Sequence, residues 1–362
     1  MIDLQTNPYV KQELKHAKNA SIAVGVVTKD ETFITGELFE HLGEYEIGDY
    51  LFEIGSTTKT FTSLLLAKLV QEKIISLDEP IKSYKREYEK ALSYNGKDIT
   101  FKHLSTHLSG LPREDMKTIR KRMKKNKHDK DNPYKYYTEA DFHQFYLDFD
   151  LKREIDKKWK YSNIGVGLLG NLLADIVGAT SYEEAIKTHI LTPLQLHNTC
   201  VTPSSEQLKR YVPAFNKKGS RIPPIEIPAM AGAGALKSTI NDMLMYLQYQ
   251  LGLRESSLSQ AIQMTHEPHG KTPWKTCQMG LGWMLETKKW SDSPVIHHGG
   301  TTMGFHTYCG FVKEQQIGIV IFSTIQLKLF RMVKMLLQLT DGVNVKIAES
   351  IFKGYIEKQK ER

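Results

Sequence analysis

The sequence predicts an α/β fold of the α+β type: an antiparallel sheet flanked by N- and C-terminal helices, with an all-α domain inserted between its strands. Three observations predict it. β-Branched runs lie near the start of the chain and recur after residue 280. The stretch between, about 60–230, carries helical periodicity and loops. The length, 362 residues, is too great for one small module and suits two domains. Strands at both ends with helices between them imply one sheet assembled from both ends of the chain. The expected division is 1–60 with 230–362 for the sheet domain and 61–229 for the helical domain.

The elements follow in order. Residues 7–18 read as a short helix with a polar face. SIAVGVV (21–27) and ETFITGE (31–37) are β-branched runs around Lys29-Asp30 and read as a hairpin. FEIGS (52–56) then enters TTKTFTSLLLAKLVQEK (57–73). Phe61, Leu64, Leu65, Ala67, Leu69 and Val70 suit a largely buried helix. Further helices are expected at 101–107, 138–148, 164–177 and 181–190, each beside a turn or cap signal. RIPPIEIP (221–228) and AMAGAGA (229–235) form a loop, with glycines where backbone must approach something closely. Helix returns at 238–250 and 257–264. Strands are expected at 281–286, 294–297, 305–312 and 317–323. Helices at 327–339 and 343–358 close the chain. KNKHDKDNP (125–133) reads as disordered.

Composition excludes several classes. A chain 40% hydrophobic and 25% charged can bury a sizeable core and is not disordered over most of its length. No apolar run approaches the roughly 20 residues that span a bilayer. The first twenty residues have no apolar segment behind a basic one and do not read as a signal peptide. The expected location is cytoplasmic for the chain as it stands, and exported if a leader has been removed. Cys200, Cys277 and Cys309 are too few and too scattered for a disulfide framework or a zinc knuckle, and each reads as a small buried hydrophobe. The net charge is +8, yet Lys117–Lys130 alone holds eight cations and one acid. The excess is one local patch, which argues against a nucleic-acid-binding face. This basic segment, taken as flexible over 117–133, reads as a solvated loop. Its other reading is contact with an anionic polymer through 117–130.

The chain has no HExxH, no GxSxG elbow and no phosphate-binding glycine loop. His103 and His107, spaced i, i+4, have no evident third ligand, and no metal site is expected. Ser56-Thr57-Thr58-Lys59 is more informative. On a helix, i and i+3 share a face, so an amine stands beside a hydroxyl. A desolvated amine eases deprotonation of the serine. The same spacing recurs at Ser350–Lys353, but Ser56 alone follows a strand-like FEIG and opens a buried helix. Tyr161-Ser162-Asn163 is the single Tyr-x-Asn. On an extended segment its outer residues point the same way. A phenol between cations can have its pKa lowered enough to shuttle a proton. The Asn163 amide can bind a carbonyl, or else cap the helix that follows. His298-Gly299-Gly300-Thr301 lies between two strand-like runs. There a peptide-like substrate can lie against backbone, with N–H groups facing an oxyanion.

With these three motifs in this order, the chain resembles the penicillin-recognising serine hydrolases. That group includes class C β-lactamases, D-Ala-D-Ala carboxypeptidases, D-aminopeptidases and β-lactamase-fold esterases. HLSTHLSGLP (103–112), GAGALKSTINDMLMYL (232–247) and MGLGWM (279–284) extend the resemblance over about 20–325. It implies a β-lactamase/transpeptidase-like fold with a site in the cleft between sheet and helices. It implies Ser56 as nucleophile and Lys59 and Tyr161 as proton carriers. Asn163, His298, Gly300 and Thr301 become substrate-binding residues, and the backbone N–H groups of Ser56 and Thr301 the oxyanion hole. His103 and His107 become scaffold. No cofactor or metal is implied.

The expected activity is hydrolysis of small amides or peptides, with a D-configured residue, through an acyl-enzyme. An esterase or weak β-lactamase is the alternative within enzymes. A penicillin-binding sensor or scaffold without turnover is the alternative outside them. Two departures bear on substrate. His298 stands where lysine is usual, as in peptidase and esterase branches, and its help to an anion would vary with pH near 7. Gly299 replaces a threonine whose hydroxyl helps hold a carboxylate.

Overall fold

The computed structural model describes Val10, residues 19–325 and residues 342–360, apart from positions 41, 128, 130 and 217. The helices expected at 7–18 (Val10 excepted) and 327–339 lie outside the described residues.

The main sheet has eight strands. They are β1 (Ile22–Thr28), β2 (Thr32–Glu37), β3 (Gly270–Lys271), β4 (Cys277–Met279), β5 (Met284–Glu286), β6 (Val295–Thr301), β7 (His306–Val312) and β8 (Ile317–Ser323). Their spatial order is β2-β1-β8-β7-β6-β5-β4-β3, and each neighbouring pair is antiparallel. The two ends of the chain meet at β1 and β8, in register from Ile22 opposite Ser323 to Thr28 opposite Ile317.

Alternation divides the central strands between two cores. Ala23, Val27, Cys309, Phe311, Val320 and Phe322 face the helical layer. Ile22, Val24, Val26, Tyr308, Ile317, Ile319 and Ile321 face the other way. There Ile347, Ala348, Ile351 and Phe352 of the C-terminal helix cover them. Both faces are therefore dry, which is why β1 and β8 read as continuous apolar runs.

The helices that matter here are α1 (Thr58–Gln71), α2 (Phe101–Ser105), α3 (Met116–Lys125), α4 (Glu139–Asp148), α5 (Asn163–Ile176), α6 (Tyr182–Ile186), α7 (Ile240–Leu251), α8 (Ser259–Thr265) and α9 (Val343–Lys360), with short helical turns also at Glu89–Leu92 and Ser205–Lys209. Side-chain caps open most of them, from Thr100, Asp115, Thr138, Ser162, Ser181 and Thr239. Helix α1 is buried nearly all round, as a central helix must be. Helix α7 presses on the sheet so closely that a Cβ at Gly25 would lie 2.6 Å from the Ile240 side chain. Among the described residues no helix is long and apolar enough to cross a membrane.

Several elements differ from expectation. The basic stretch is not a solvated loop up to residue 125. Met116–Lys125 is helix α3, capped by Asp115, with Ile119 buried and Arg122 paired bidentately to Asp141 at 2.9 and 2.7 Å. Lysine, arginine and methionine are good helix formers, and one buried stripe suffices to anchor them. The strand expected at 281–286 begins only at Met284, because Gly282 takes φ +72° in a preceding turn. β6 runs on from His297 to Thr301. Cys277 and Cys309 are buried and Cys200 is half-buried, all three as free thiols.

Candidate active site

Ser56 sits where a short two-stranded ladder, separate from the main sheet, hands the chain to α1. Phe52–Glu53 pairs with Lys237–Ser238 in a short antiparallel ladder. Gly55 then takes φ +50°, and the turn Gly55–Thr57 leads into Thr58. One turn on, the Lys59 ammonium lies 3.2 Å from Ser56 Oγ. It also donates to Asn163 Oδ1 at 2.8 Å and to the Ala233 carbonyl at 2.6 Å. Three oxygen acceptors match its three donors. Burial, and then the Arg113 charge, hold the Lys59 pKa well below that of a solvated lysine; Glu114 acts in the other direction. A half-buried hydroxyl beside such an amine is the arrangement an acyl-transfer nucleophile needs.

The glycines of 229–235 serve this contact. Gly232 lies against Gly170 of α5, where a Cβ on either would come within 3.0 Å of the other's Cα. That approach holds the Ala233 carbonyl over Lys59.

Tyr161 and Asn163 arrive on the start of α5. Ser162, not Asn163, caps that helix, with its Oγ accepting from Gly165 N at 3.0 Å. Asn163 is the first helical residue, so its amide is free for the site. The 103–112 segment braces this turn. Ser162 Oγ donates to the Pro112 carbonyl at 2.7 Å, and the Ser162 N–H donates to His107 Nδ1 at 3.2 Å. His107 Nδ1 is thus an acceptor, and the ring packs 4.3 Å from Tyr161. Burial holds its pKa well below the usual histidine range. His103 closes the α2 capping box by accepting from Thr100 N. Both histidines are framework. Among the described residues no cluster of His, Cys, Asp or Glu is set to hold a metal.

Tyr161 lies beneath two cations, with Lys59 Nζ 4.8 Å and Arg113 Cζ 5.0 Å from its ring. The expectation of a lowered phenol pKa is nonetheless overturned. Burial pushes it up to about 12, against the opposing effects of its Ser56 hydrogen bond and Arg113. Desolvation of the phenolate outweighs cations that meet the ring face.

β6 supplies the opposite wall. β5 pairs with β6 only over Val295–His297, so His298–Thr301 offers a free edge on that side among the described residues. A Cβ at Gly300 would lie 2.0 Å from the Ile54 carbonyl oxygen, and one at Gly55 would lie 2.9 Å from Thr301 N. Glycine at both positions lets β6 touch the Ser56 turn and brings the Thr301 amide beside it. Thr307 ties the two together, donating to the Ile54 carbonyl at 3.0 Å and meeting Thr57 Oγ1 at 3.2 Å.

His298 is buried, with Nδ1 bonded to the Gly299 carbonyl at 2.7 Å. That carbonyl fixes the proton on Nδ1. Burial and the nearby Lys59 lower its pKa to about 3. The expectation that His298 titrates near pH 7 is therefore corrected: it is a neutral imidazole there.

The family model described as Beta-lactamase matches residues 9–340. The chain belongs to the β-lactamase family. This β-lactamase-family chain is 28% identical over 313 residues to the D-alanyl-D-alanine-carboxypeptidase/endopeptidase AmpH of Escherichia coli K12, covering 83% of the chain and 76% of that protein. It is likewise 28% identical over 309 residues to an E. coli K12 β-lactamase, covering 75% of each. A β-lactamase/D-alanine carboxypeptidase from Pseudomonas syringae superposes with a TM-score of 0.74 at 17% identity, over 94% of this chain and 98% of that one. A class C β-lactamase from Rhodobacter sphaeroides gives 0.72 at 20% identity, over 89% and 94%. The β-lactamase/transpeptidase-like fold is thus shared.

Two site residues of this β-lactamase-family chain belong to no motif recognisable in the sequence. Glu114 Oε1 accepts from Asn163 Nδ2 at 2.7 Å and from the Tyr134 hydroxyl at 2.6 Å. It fixes which end of the Asn163 amide meets Lys59. Arg113 lies over Tyr161. Both directly follow Pro112, where the recognisable motif stops. Glu114→Gln removes the negative charge but keeps hydrogen-bonding capacity. Because Glu114 raises the Lys59 pKa, the acid limb of any Ser56 acylation rate is expected to move to lower pH. A pH series of acylation rates, read by intact mass, checks it.

Proposed function

We propose that the chain is a serine hydrolase that forms an acyl-enzyme on Ser56 and acts on small amides or peptides containing a D-configured residue. The observation that carries this reading is the Lys59 amine, buried, lowered in pKa and 3.2 Å from Ser56 Oγ. Neutral Lys59 takes the Ser56 proton as Oγ attacks a carbonyl carbon. The Ser56 and Thr301 N–H groups receive the oxyanion. Tyr161, protonated at rest, gives its proton to the departing amine, and the proton on Lys59 replaces it. Water then cleaves the ester. Asn163 and the His298–Gly300–Thr301 edge hold the substrate backbone. Relatives named for D-alanyl-D-alanine and β-lactam chemistry support the substrate class.

One observation favours a second reading, an esterase or weak β-lactamase. Gly299 has no hydroxyl and His298 is neutral, so this edge does not present the usual carboxylate-binding pair.

The test is intact mass after incubation with a penicillin and, separately, a fluorophosphonate, on the native chain and on Ser56→Ala. An adduct on the native chain alone is expected. Penicillin labelling supports the peptidase or lactamase branch. Fluorophosphonate labelling alone, with rapid turnover of p-nitrophenyl esters, supports the esterase. Penicillin labelling with one product equivalent and no turnover supports a sensor or scaffold. No labelling by either reagent refutes the catalytic reading of Ser56.

A further inference from the structure

We propose that Arg113 is an anion subsite of this cleft: its guanidinium, lying over the Tyr161 ring with its donors unspent, takes a carboxylate carried by the substrate. The inference rests on the hydrolase reading of Ser56.

The backbone at Arg113 is pinned. The carbonyl before it accepts from Ser162 Oγ at 2.7 Å, and its own carbonyl accepts from Asn163 N at 2.8 Å and Ile164 N at 3.2 Å. The side chain is exposed and lies with Cζ 5.0 Å from the Tyr161 ring centroid. Among the described residues no hydrogen bond or ion pair occupies that guanidinium. A planar fork of five donors on a fixed base is suited to bind a carboxylate bidentately.

The other polar groups of the site are spent or uncharged. Lys59 is saturated by Ser56, Asn163 and Ala233. His298 gives its Nδ1 proton to the Gly299 carbonyl. Thr301 Oγ1 meets His306 Nδ1 at 3.2 Å, and Gly299 has no side chain. The β6 wall therefore lacks a charged donor among the described residues, while the opposite wall carries one beside Tyr161. Glu114, the adjacent acid, is turned to Asn163 and Tyr134.

Helix α3 strengthens the same sign. Lys117, Arg120, Lys121, Lys124 and Lys125 are exposed, and the helix contains no acid. Their field raises the local concentration of anions, in a salt-dependent way, but selects no geometry. Arg113 supplies the contact.

Two matched substrate pairs test the subsite. p-Nitrophenyl hydrogen glutarate against p-nitrophenyl butyrate places the carboxylate on the acyl part. An acyl-D-alanyl depsipeptide with a free C-terminal carboxylate, against its C-terminal amide, places it on the leaving part. The readout is the ratio of kcat/KM within each pair, which cancels any loss of folded enzyme. In the native chain the carboxylate member is expected to win in one pair. Arg113→Ala should lower that ratio about 10- to 100-fold. Arg113→Glu should lower it further, and Arg113→Lys should recover part of it, since an ammonium keeps charge without the fork.

A native ratio near one in both pairs overturns the subsite. So does a preference that salt abolishes but Arg113 substitutions leave intact, which would assign it to α3. In both cases turnover of the neutral esters leaves the hydrolase reading standing. If none of the four compounds acylates native Ser56, that reading fails and the subsite falls with it.

Discussion

Replacing Lys59 with methionine is expected to slow acylation of Ser56 by about 10²- to 10⁴-fold, the usual range for a positioned base. Methionine is apolar and similar in length, so the side-chain volume stays nearly filled. What disappears is the amine 3.2 Å from Ser56 Oγ. Serine, lysine and tyrosine act as a unit in this scheme, so effects should not add. Residual hydrolysis of substrate by the Ser56→Ala/Lys59→Met double variant should be no slower than by Ser56→Ala alone.

The pH profile gives a second, independent reading. The Lys59 pKa lies well below 10.5, burial being the main cause. Only the neutral amine can accept the proton, so the acylation rate should rise with pH through that lowered value and then level. His298, at about 3, and Tyr161, at about 12, both titrate far from neutral pH. Stability should carry the same signature. Between the folded pKa of Lys59 and 10.5 the unfolded chain binds more protons, so stability rises with pH in that window. The unfolding free energy of the native chain, minus that of Lys59→Met, should therefore increase as pH rises toward 10.5. Urea titrations of both chains across the window check the sign. A difference flat in pH would mean that Lys59 is charged in the fold as it is in water.

The sheet strands nearest both ends were legible because their residues alternate or run apolar in stretches of six or seven. β3 and β4 were not, since two and three residues carry no period. The turn that opens α1 was legible through Ser56 and Lys59, whose i, i+3 spacing encodes their contact. The charge states at the site were not. Spacing shows which groups meet, whereas the pKa values of Tyr161 and His298 depend on how much water the fold removes, a property of distant elements. Glu114 and Arg113 were missed for a related reason. Their partners, Asn163 and Tyr161, lie about 50 residues away along the chain. The end of β6 was missed because Gly299-Gly300 carries the usual sign of a turn. Here Gly300 is instead the place where a strand must pass another backbone without a side chain between them.

That passage makes Gly300→Ala the single-methyl change with the largest expected effect. The added carbon would stand 2.0 Å from the Ile54 carbonyl oxygen and 2.4 Å from Thr307 Oγ1. Neither atom is free to retreat. The Ile54 carbonyl accepts from Thr57 N at 3.1 Å and from Thr307 Oγ1 at 3.0 Å, and Ile54 N is bonded to Leu236. The strand must then move away from the turn, opening the gap between Thr301 N and Ser56. Overpacking of this kind costs about 1–3 kcal/mol of stability. A displaced oxyanion donor costs about 10²- to 10³-fold in kcat. Gly299→Ala is the matched control. Its added carbon meets only the Thr307 carbonyl oxygen, at 3.2 Å, and faces solvent. It should cost less stability than Gly300→Ala, below about 1 kcal/mol. Thermal unfolding and Ser56 acylation rates for the pair separate the two glycines. Equal effects would mean that β6 tolerates a side chain against the turn, and that the Thr301 amide is not held by this contact. A large loss confined to position 300 would tie the oxyanion geometry to the approach of β6 on Ile54.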